Sequence, residues 1–355
     1  MEDFLWNETF TNVSWDPDFD KTPGPQSRLV TALGSLVCIW ILLSNLLLVT
    51  SVIFSGGLTK DPYKIILLHL SSLDFSLGLL AVPFMLHYVR MGYWDLGKSV
   101  CAVWIALDHF LLVLILVTWL VLSVDRLLFT LRPGQYRNVV KSWVAMLMVW
   151  IPWVTCSIIA GPLFYMSITD SYVPSTECYN VWALKFYMIF LVLTFFVPLV
   201  VSLVTLMATA LLLARNKNKY MKRRSNNSSC ALGVSDIEDR EIATQSTVIL
   251  GLTNCTFVVM CLPFFSVTLA VVVSGYRRDV DDWVLNLLYW IVYSNSAVRP
   301  LFWFILKDLR QGCMSFCNLV CRRKPPSLDQ STQTFREKEV RFKDFDCSKL
   351  KSADV

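Results

Sequence analysis

Charged side chains interrupt an otherwise apolar stretch at two places, in the segment that runs from Cys101 to Arg132 as CAVWIALDHFLLVLILVTWLVLSVDRLLFTLR. Asp108 lies in its first third, and the adjacent pair Asp125 and Arg126 lies near its end. Because a helix rises about 1.5 Å per residue, Asp108 and Arg126 would be separated by about 27 Å, close to the roughly 30 Å thickness of the hydrocarbon layer of a membrane. An unpaired charge inside that layer costs on the order of 2.5 to 3.5 kcal/mol. We therefore expect Asp108 to face a cavity and to meet a cation there.

The composition of the whole chain indicates a membrane protein. Of its 355 residues, 55% are hydrophobic and only 17% are charged, a balance that no soluble globular domain is expected to show. Apolar stretches long enough to cross a membrane as helices recur at 30–54, 63–88, 99–128, 142–165, 183–213, 245–274 and 283–306. The sequence therefore predicts an all-α membrane protein, a seven-transmembrane helix bundle, in which 99–128 is the third span.

The distribution of charge predicts the orientation of the chain. The first 20 residues contain six acidic side chains and no Lys or Arg, whereas the segments after the fifth and seventh spans are rich in Lys and Arg. Basic loops favour the cytoplasmic side, so the N-terminus is predicted to be extracellular. The sequons at Asn7 and Asn12 would then be accessible for glycosylation. We assign the net charge of +5 to cytoplasmic loops that face anionic lipid and cytosolic partners, and no nucleic acid is implied.

Four regions follow from this topology. Residues 1–28 are predicted to form an extracellular glycosylated tail without an evident cleavable signal peptide, and residues 29–306 the transmembrane bundle. Residues 307–323 are predicted to form a short amphipathic eighth helix on the membrane surface, and residues 324–355 a disordered cytoplasmic tail. The polar, aperiodic loop 215–240 is also predicted to be disordered.

Two cysteines face the outside in this topology. Cys101 begins the third span and Cys178 lies in the loop before the fifth span, so both are on the oxidising side of the membrane. We therefore pair Cys101 with Cys178 and expect the remaining cysteines to be free. This disulfide would hold the second outer loop across the mouth of a cavity above Asp108.

Three cysteines in the predicted eighth helix, Cys313, Cys317 and Cys321, are spaced four residues apart. That spacing puts the three thiols on one helical face, beside basic residues and next to the membrane. Reversible palmitoylation of a helix on the membrane surface is one interpretation. The other is that they are ordinary buried cysteines of an amphipathic helix.

Two polar residues within the spans each admit two interpretations. Asp74 lies near the middle of the second span, where it would be either an ion or proton relay site or a member of a satisfied polar network between helices. Thr194, which precedes Pro198 in the fifth span, would either contact a ligand or hydrogen-bond back to its own helix, and the second arrangement is the commoner one.

A set of marker residues recurs across about residues 28–322, each in a particular span and at a particular depth. They are Asn45, Asp74 at the end of an LxxLD motif, Cys101 with Cys178, Asp125 with Arg126, Pro198, Phe257 with Pro263, and Pro300. By these residues the chain resembles the rhodopsin-like (class A) G-protein-coupled receptors. The resemblance implies a multi-pass plasma-membrane receptor that acts on heterotrimeric G proteins, with arrestin and receptor kinases as further partners.

Two motifs, WIALDHF around Asp108 and YWIVYSNSAV in the seventh span, are similar to those of aminergic receptors, in particular the muscarinic and histamine branch. This resemblance implies that Asp108 binds the ammonium group of a small cationic amine, which aromatic side chains enclose. The residues assigned to ligand binding are Asp108, His109, Thr194, Phe264, Phe265, Tyr289, Trp290 and Tyr293. Because Phe265 stands where muscarinic receptors usually carry an amide, histamine or another arylalkylamine is favoured over acetylcholine.

The chain departs from the family pattern among the residues that transmit a signal, where Cys261 replaces a tryptophan and Leu206 a tyrosine. Arg299 and Trp303 occupy a seventh-span motif that is usually Asn-Pro-x-x-Tyr. A guanidinium in mid-membrane needs a partner, and the resemblance to the family places Asp74 across from Arg299. We therefore predict that the two form an ion pair in place of the sodium ion that such receptors often hold. The residues assigned to signal transmission are Asp74, Asp125, Arg126, Cys261, Arg299 and Trp303.

Two functions remain open on the sequence. The first is a receptor for a small biogenic amine that signals through heterotrimeric G proteins. The alternative is an orphan or atypical receptor with weak or no G-protein signalling, a decoy or a partner protein, because several activation residues are replaced. An enzyme is disfavoured, since His69, His87 and His109 are isolated and neither a nucleophile-base pair nor a metal cluster is evident. An opsin would need a Schiff-base lysine where Tyr293 stands.

Overall fold

A computed structural model of the chain describes residues 25–56, 61–131, 136, 140–170, 178, 184–226, 234–274, 280 and 282–321. Regular structure in these ranges is helical throughout. The sequons at Asn7 and Asn12 and the tail at 324–355 lie outside the described residues.

The helices follow one another as seven spans and one further helix. The first span is Pro25–Phe54, the second consists of Tyr63–Leu80 and Val82–Met91, the third is Gly97–Leu131 and the fourth is Ser142–Asp170. The fifth combines Leu184–Leu191, a π-helical turn at Val192–Phe196 and Val197–Asn226, the sixth is Val234–Val273 and the seventh is Asp282–Trp303. The last helix, Lys307–Val320, is termed the surface helix below.

Length and composition make five of these segments able to cross a membrane: Arg28–Phe54, Tyr63–Met91, Gly97–Leu131, Met188–Arg215 and Glu241–Val271. The fourth span contains a shorter apolar helix, Ser142–Ile158. The order and positions of the helices match the predicted seven-helix bundle.

A proline divides the second span. Pro83 cannot donate a backbone hydrogen bond, and the span is interrupted at Ala81, beyond which a new helix begins with Pro83 in its first turn. The carbonyl oxygen of Ala81 accepts a hydrogen bond from Nε1 of Trp104 at 3.1 Å. The break is therefore held against the outer part of the third span.

The fifth span is also irregular. Its π-helical turn, Val192–Phe196, comes directly before Pro198. Thr194 and Phe195 in this turn are buried, whereas their neighbours Val192 and Leu193 are exposed on the outside of the bundle. The turn therefore fixes which side chains of the fifth span point inward.

The third span lies at the centre of the bundle and packs against the second, fourth, fifth and sixth spans. Asp108, Asp125 and Arg126 of this span are buried among these helices. By contrast, large apolar side chains such as Trp150 and Val204 point outward, as expected of a surface that faces lipid.

The inner ends of the fifth and sixth spans correct the prediction of a disordered loop at 215–240. The fifth span stays helical to Asn226, and the sixth begins at Val234. Extending an existing helix requires no new nucleation, and Lys, Arg, Met, Glu and Ile in these segments are compatible with it. The polar composition was therefore a poor guide to the backbone.

The surface helix packs closely on the first span. A Cβ atom on Gly312 would lie 2.0 Å from the carbonyl oxygen of Ser51, so only glycine allows the two backbones to approach this closely. The rings of Phe54 and Phe316 meet at 5.5 Å, and Lys64 forms an ion pair with Asp308 at 3.6 Å. The helix is thus attached to the inner ends of both the first and the second span.

Candidate functional site

A disulfide joins the outer end of the third span to the segment before the fifth. Cys101 and Cys178 are bonded, as predicted, with their Cα atoms 5.7 Å apart. The residues on either side of Cys178, 171–177 and 179–183, lie outside the described residues, so the covering loop stays a prediction. The bond places Cys178 two helical turns above Asp108.

Asp108 is buried in the centre of the bundle, with 1% of its surface exposed. The Tyr293 hydroxyl donates a hydrogen bond to Oδ1 at 2.7 Å, and the Tyr289 hydroxyl donates to Oδ2. The spacing of four residues in the seventh span puts both tyrosines on the same face. In the part of the chain that the structure describes, neither Lys nor Arg forms an ion pair with this carboxylate.

Aromatic rings extend from the two tyrosines toward the sixth span. Tyr289 meets Tyr293 at 5.1 Å and Phe264 at 5.0 Å, both nearly perpendicular. Phe264 in turn meets Phe265 at 5.3 Å, and Phe265 stacks on Phe195 of the fifth span at 3.8 Å. Four of the sequence-predicted aromatic residues therefore form one continuous group beside Asp108.

Trp290 occupies a different place from the other predicted aromatics. Its ring meets that of Tyr293 at 5.8 Å, and it packs so closely on Gly34 of the first span that a Cβ there would lie 2.7 Å from the indole. It therefore lies behind Tyr293, on the side of the first span.

His109 and Thr194 both bond to their own helices. Nδ1 of His109 lies 2.8 Å from the carbonyl oxygen of Ile105, which can only accept, so Nδ1 carries the proton. The Thr194 hydroxyl donates to the carbonyl oxygen of Phe190 at 2.6 Å. Of the two interpretations of Thr194, the hydrogen bond to its own helix is the one present.

Asp74 and Arg299 form the predicted ion pair. Nη1 of Arg299 donates to Oδ2 of Asp74 at 2.8 Å, and the two residues are 4% and 1% exposed. Close by, Nδ2 of Asn45 donates to the carbonyl oxygens of Ile41 and Ser296. The second span is therefore joined to the seventh by an ion pair, in which Oδ1 of Asp74 and Nε of Arg299 are buried without a hydrogen-bond partner among the described residues.

Arg126 is enclosed at the inner end of the third span. Its Nε donates to Oδ2 of Asp125 at 2.8 Å, and its guanidinium lies 4.3 Å above the ring of Tyr63. The Tyr136 hydroxyl donates to Oδ1 of Asp125 at 2.6 Å and accepts from Arg126 at 3.1 Å. Burial raises the pKa of Tyr136 well above its usual range, so this hydroxyl remains a donor.

The other two residues assigned to signal transmission, Cys261 and Trp303, are both buried but lie in different hydrophobic clusters. Cys261 belongs to an apolar cluster with Phe257, Leu116 and Val292, while Trp303 lies in the main core. Sequence reasoning missed Tyr63 and Tyr136 altogether. Neither belongs to a motif that pointed to Arg126. Aromatic residues make up 13% of the chain, so a single tyrosine does not stand out in the sequence.

Comparison with known proteins places the chain in a family. Residues 44–303 match the family described as "7 transmembrane receptor (rhodopsin family)". The D(1B) dopamine receptor of Homo sapiens is 22% identical over 349 residues, covering 83% of this chain and 72% of the receptor. The D(1B) dopamine receptor of Rattus norvegicus is 22% identical over 353 residues, covering 85% of this chain and 73% of the receptor. Because the family match runs from the first span to the end of the seventh, the chain belongs to the rhodopsin family of seven-transmembrane receptors.

Proposed function

We propose that this receptor binds a small biogenic amine through Asp108 and acts on heterotrimeric G proteins. The observation that carries the proposal is a buried carboxylate whose described partners are two neutral hydroxyls, from Tyr289 and Tyr293. A buried charge without a counter-ion is costly, and an ammonium ion would supply that counter-ion. The similarity to proteins named dopamine receptors also favours an amine, although it gives no preference for histamine.

The surroundings of Asp108 suit an ammonium ion. A charge-assisted hydrogen bond contributes roughly 1.5 to 3 kcal/mol. A cation held against aromatic rings away from water gains about 2 kcal/mol more. Tyr289 and Tyr293 contact the carboxylate, and Phe264 packs on Tyr289, so one bound cation would benefit from both interactions.

The seventh span offers a route from ligand to response. It supplies both hydroxyls that bond to Asp108 and, ten residues further on from Tyr289, the guanidinium that bonds to Asp74. An ammonium ion that displaces a hydroxyl from Asp108 changes what holds this helix to the third span. A ligand that binds one arrangement of the two helices better than another shifts their populations, which is the mechanism we propose.

Amine binding to an Asp108→Asn variant tests this proposal. Saturation binding of labelled amines should lose about 100-fold or more in affinity, because the amide keeps the shape and removes the charge. Asp95→Asn is the matched control: Asp95 is partly exposed and pairs with His87 at 2.6 Å, so its variant should bind normally. Unchanged affinity in Asp108→Asn would reject the site.

A second candidate function is a receptor that binds an amine and signals weakly or not at all through G proteins. The replacement of usual activation residues by Cys261, Leu206, Arg299 and Trp303 favours it, and Arg299 is engaged with Asp74 within the protein. A panel of G-protein dissociation sensors would separate the two functions. A response above background supports signalling, and binding without a response supports a decoy or partner role.

Several modifications belong to the same proposal. We propose an extracellular N-terminus glycosylated at Asn7 and Asn12, and arrestin and receptor kinases as cytoplasmic partners.

We also propose palmitoylation in the surface helix, where Cys317 and Cys321 are exposed and Cys313 is half-buried. Labelling by a clickable palmitate analogue should disappear when all three cysteines are replaced by serine, and persistent labelling would refute the modification.

A further inference from the structure

We infer that Gly34 of the first span is a positioning residue of the amine site, which acts through Trp290 on Tyr293. The inference rests on the proposed function and extends it to a residue outside the set assigned to ligand binding. It comes from a row of close contacts that runs from the backbone of the first span to the carboxylate of Asp108.

Gly34 leaves room for an indole ring against the first span. It is buried, and a Cβ atom at this position would lie 2.7 Å from both Cζ2 and Cη2 of Trp290 and 3.0 Å from Cδ2 of Leu86. Carbon atoms in van der Waals contact are about 3.5 to 4.0 Å apart, so the indole would have to move if residue 34 carried a side chain. The first span therefore accepts the ring of Trp290 in this position only because residue 34 is glycine.

Trp290 connects this contact to the amine site. Its ring lies 5.8 Å from that of Tyr293, and the residue is buried. Nε1 of Trp290 has no hydrogen-bond partner among the described residues, so within this part of the chain the indole is held by packing. The position of the indole is thus determined by the first span on one side and by Tyr293 on the other.

Tyr293 passes any displacement on to the carboxylate. The tyrosine is fully buried, and its hydroxyl donates to Oδ1 of Asp108 at 2.7 Å. Protein interiors are packed as densely as organic crystals, so a displaced ring displaces its neighbour. A side chain at residue 34 would therefore move Trp290 toward Tyr293, and Tyr293 into the space where an ammonium ion is to meet Asp108.

Gly34→Ala tests the inference by adding one methyl group. Amine affinity should fall by about tenfold, because the displaced tyrosine competes with the ligand for the space beside Asp108. Dissociation constants for labelled dopamine and labelled tryptamine are measured by saturation binding on the full chain in lipid nanodiscs.

Gly78→Ala is the matched control. A Cβ atom on Gly78 would lie 2.8 Å from Cγ2 of Ile41 and 3.3 Å from Cδ2 of Leu42, so this variant also crowds the first span, at side chains other than Trp290. Both variants should lower the temperature of thermal unfolding. Only Gly34→Ala should weaken amine binding, which separates positioning of the site from a general loss of stability.

A smaller ring at residue 290 tests whether the effect passes through the indole. Trp290→Phe removes the far end of the indole, including the two atoms that the methyl group would meet. The affinity of the double variant Gly34→Ala/Trp290→Phe should therefore lie within about threefold of that of Trp290→Phe alone. Comparison with the single variant cancels any direct contact between the indole and the amine.

The outcomes separate this inference from the proposed function. A loss of affinity in Gly34→Ala that Gly78→Ala does not show, and that Trp290→Phe relieves, supports both. Equal affinities in the two glycine variants, or a loss as large in the Trp290→Phe background as in the parent chain, overturn the inference. Binding that is still lost in Asp108→Asn then leaves the amine site standing. Absence of saturable, Asp108-dependent binding for both amines overturns both.

Discussion

Two buried aspartates of this receptor face the same helix and are held in different ways. Asp108, in the outer half of the bundle, accepts hydrogen bonds from Tyr289 and Tyr293. Asp74, in the second span, accepts one from the guanidinium of Arg299. The seventh span therefore supplies neutral partners to one acid and a cation to the other.

The difference shows that the partners of a buried acid determine whether it can bind an external cation or forms a structural ion pair. Hydroxyls satisfy the hydrogen bonding of a carboxylate and leave its charge unbalanced, so affinity for an external cation remains. A guanidinium balances the charge within the protein. Breaking such a buried pair then costs stability, because the remaining charge has no counter-ion.

The largest effect is expected on the free energy of unfolding when Asp74 loses its partner Arg299. Arg299→Met leaves Asp74 charged and alone and should lower the free energy of unfolding by about 3 to 5 kcal/mol. Thermal unfolding in detergent, followed by tryptophan fluorescence, measures the loss. The double variant Asp74→Asn/Arg299→Met should recover most of it because it buries no charge. Equal losses in the single and double variants would show that the pair is not what stabilises this region.

A cationic side chain placed next to Asp108 should remove the difference between Asp108 and Asp74. Tyr293→Lys places an ammonium within reach of Asp108 and should weaken amine binding by about 100-fold, because the ligand must displace a charged partner. Tyr293→Phe is the control, since it removes only a hydroxyl and should stay within about tenfold of the parent chain. Normal amine affinity in Tyr293→Lys, measured by saturation binding, would contradict the proposed counter-ion role of Asp108.

Sodium provides a milder test of the inner acid. Because Arg299 already balances Asp74, amine affinity in the parent chain should not respond when sodium is exchanged for a large organic cation at constant ionic strength. Arg299→Asn removes the internal cation and should restore a change of a few fold. A clear sodium effect in the parent chain would mean that the ion pair does not occupy the site in solution.

The smallest effect concerns the hydroxyl that a ligand displaces. Tyr289→Phe removes one donor to Asp108 and keeps the ring beside Phe264, so the amine has less to replace. Affinity should rise by about three- to tenfold. A fall in affinity would indicate that Tyr289 also contacts the bound amine.

Residue type and depth were enough to predict the seven spans. A buried guanidinium requires an anion, and the resemblance to the receptor family supplied Asp74 as the partner of Arg299. Asp108 was recognised from the sequence alone, because an acid inside an apolar stretch needs a counter-ion. The disulfide followed from topology, since Cys101 and Cys178 both fall on the outer side.

Other features depend on packing that no local pattern encodes. Tyr63 of the second span and Tyr136, which follows the third span in the chain, both contact Arg126, and tyrosines at these positions are equally compatible with several other environments. The position of Trp290 behind Tyr293 depends on the absence of a side chain at Gly34. The π-helical turn before Pro198 shifts the inward face of the fifth span, which a regular helical period does not predict.

The contact between Gly312 and Ser51 bears on how the molecule is completed during synthesis. Ser51 lies in the first span to leave the ribosome, whereas Gly312 follows the seventh. Their backbones can therefore meet only after all seven spans have been synthesised. A residue at 312 that carries a Cβ atom would collide with the backbone of the first span, so this late contact depends on glycine.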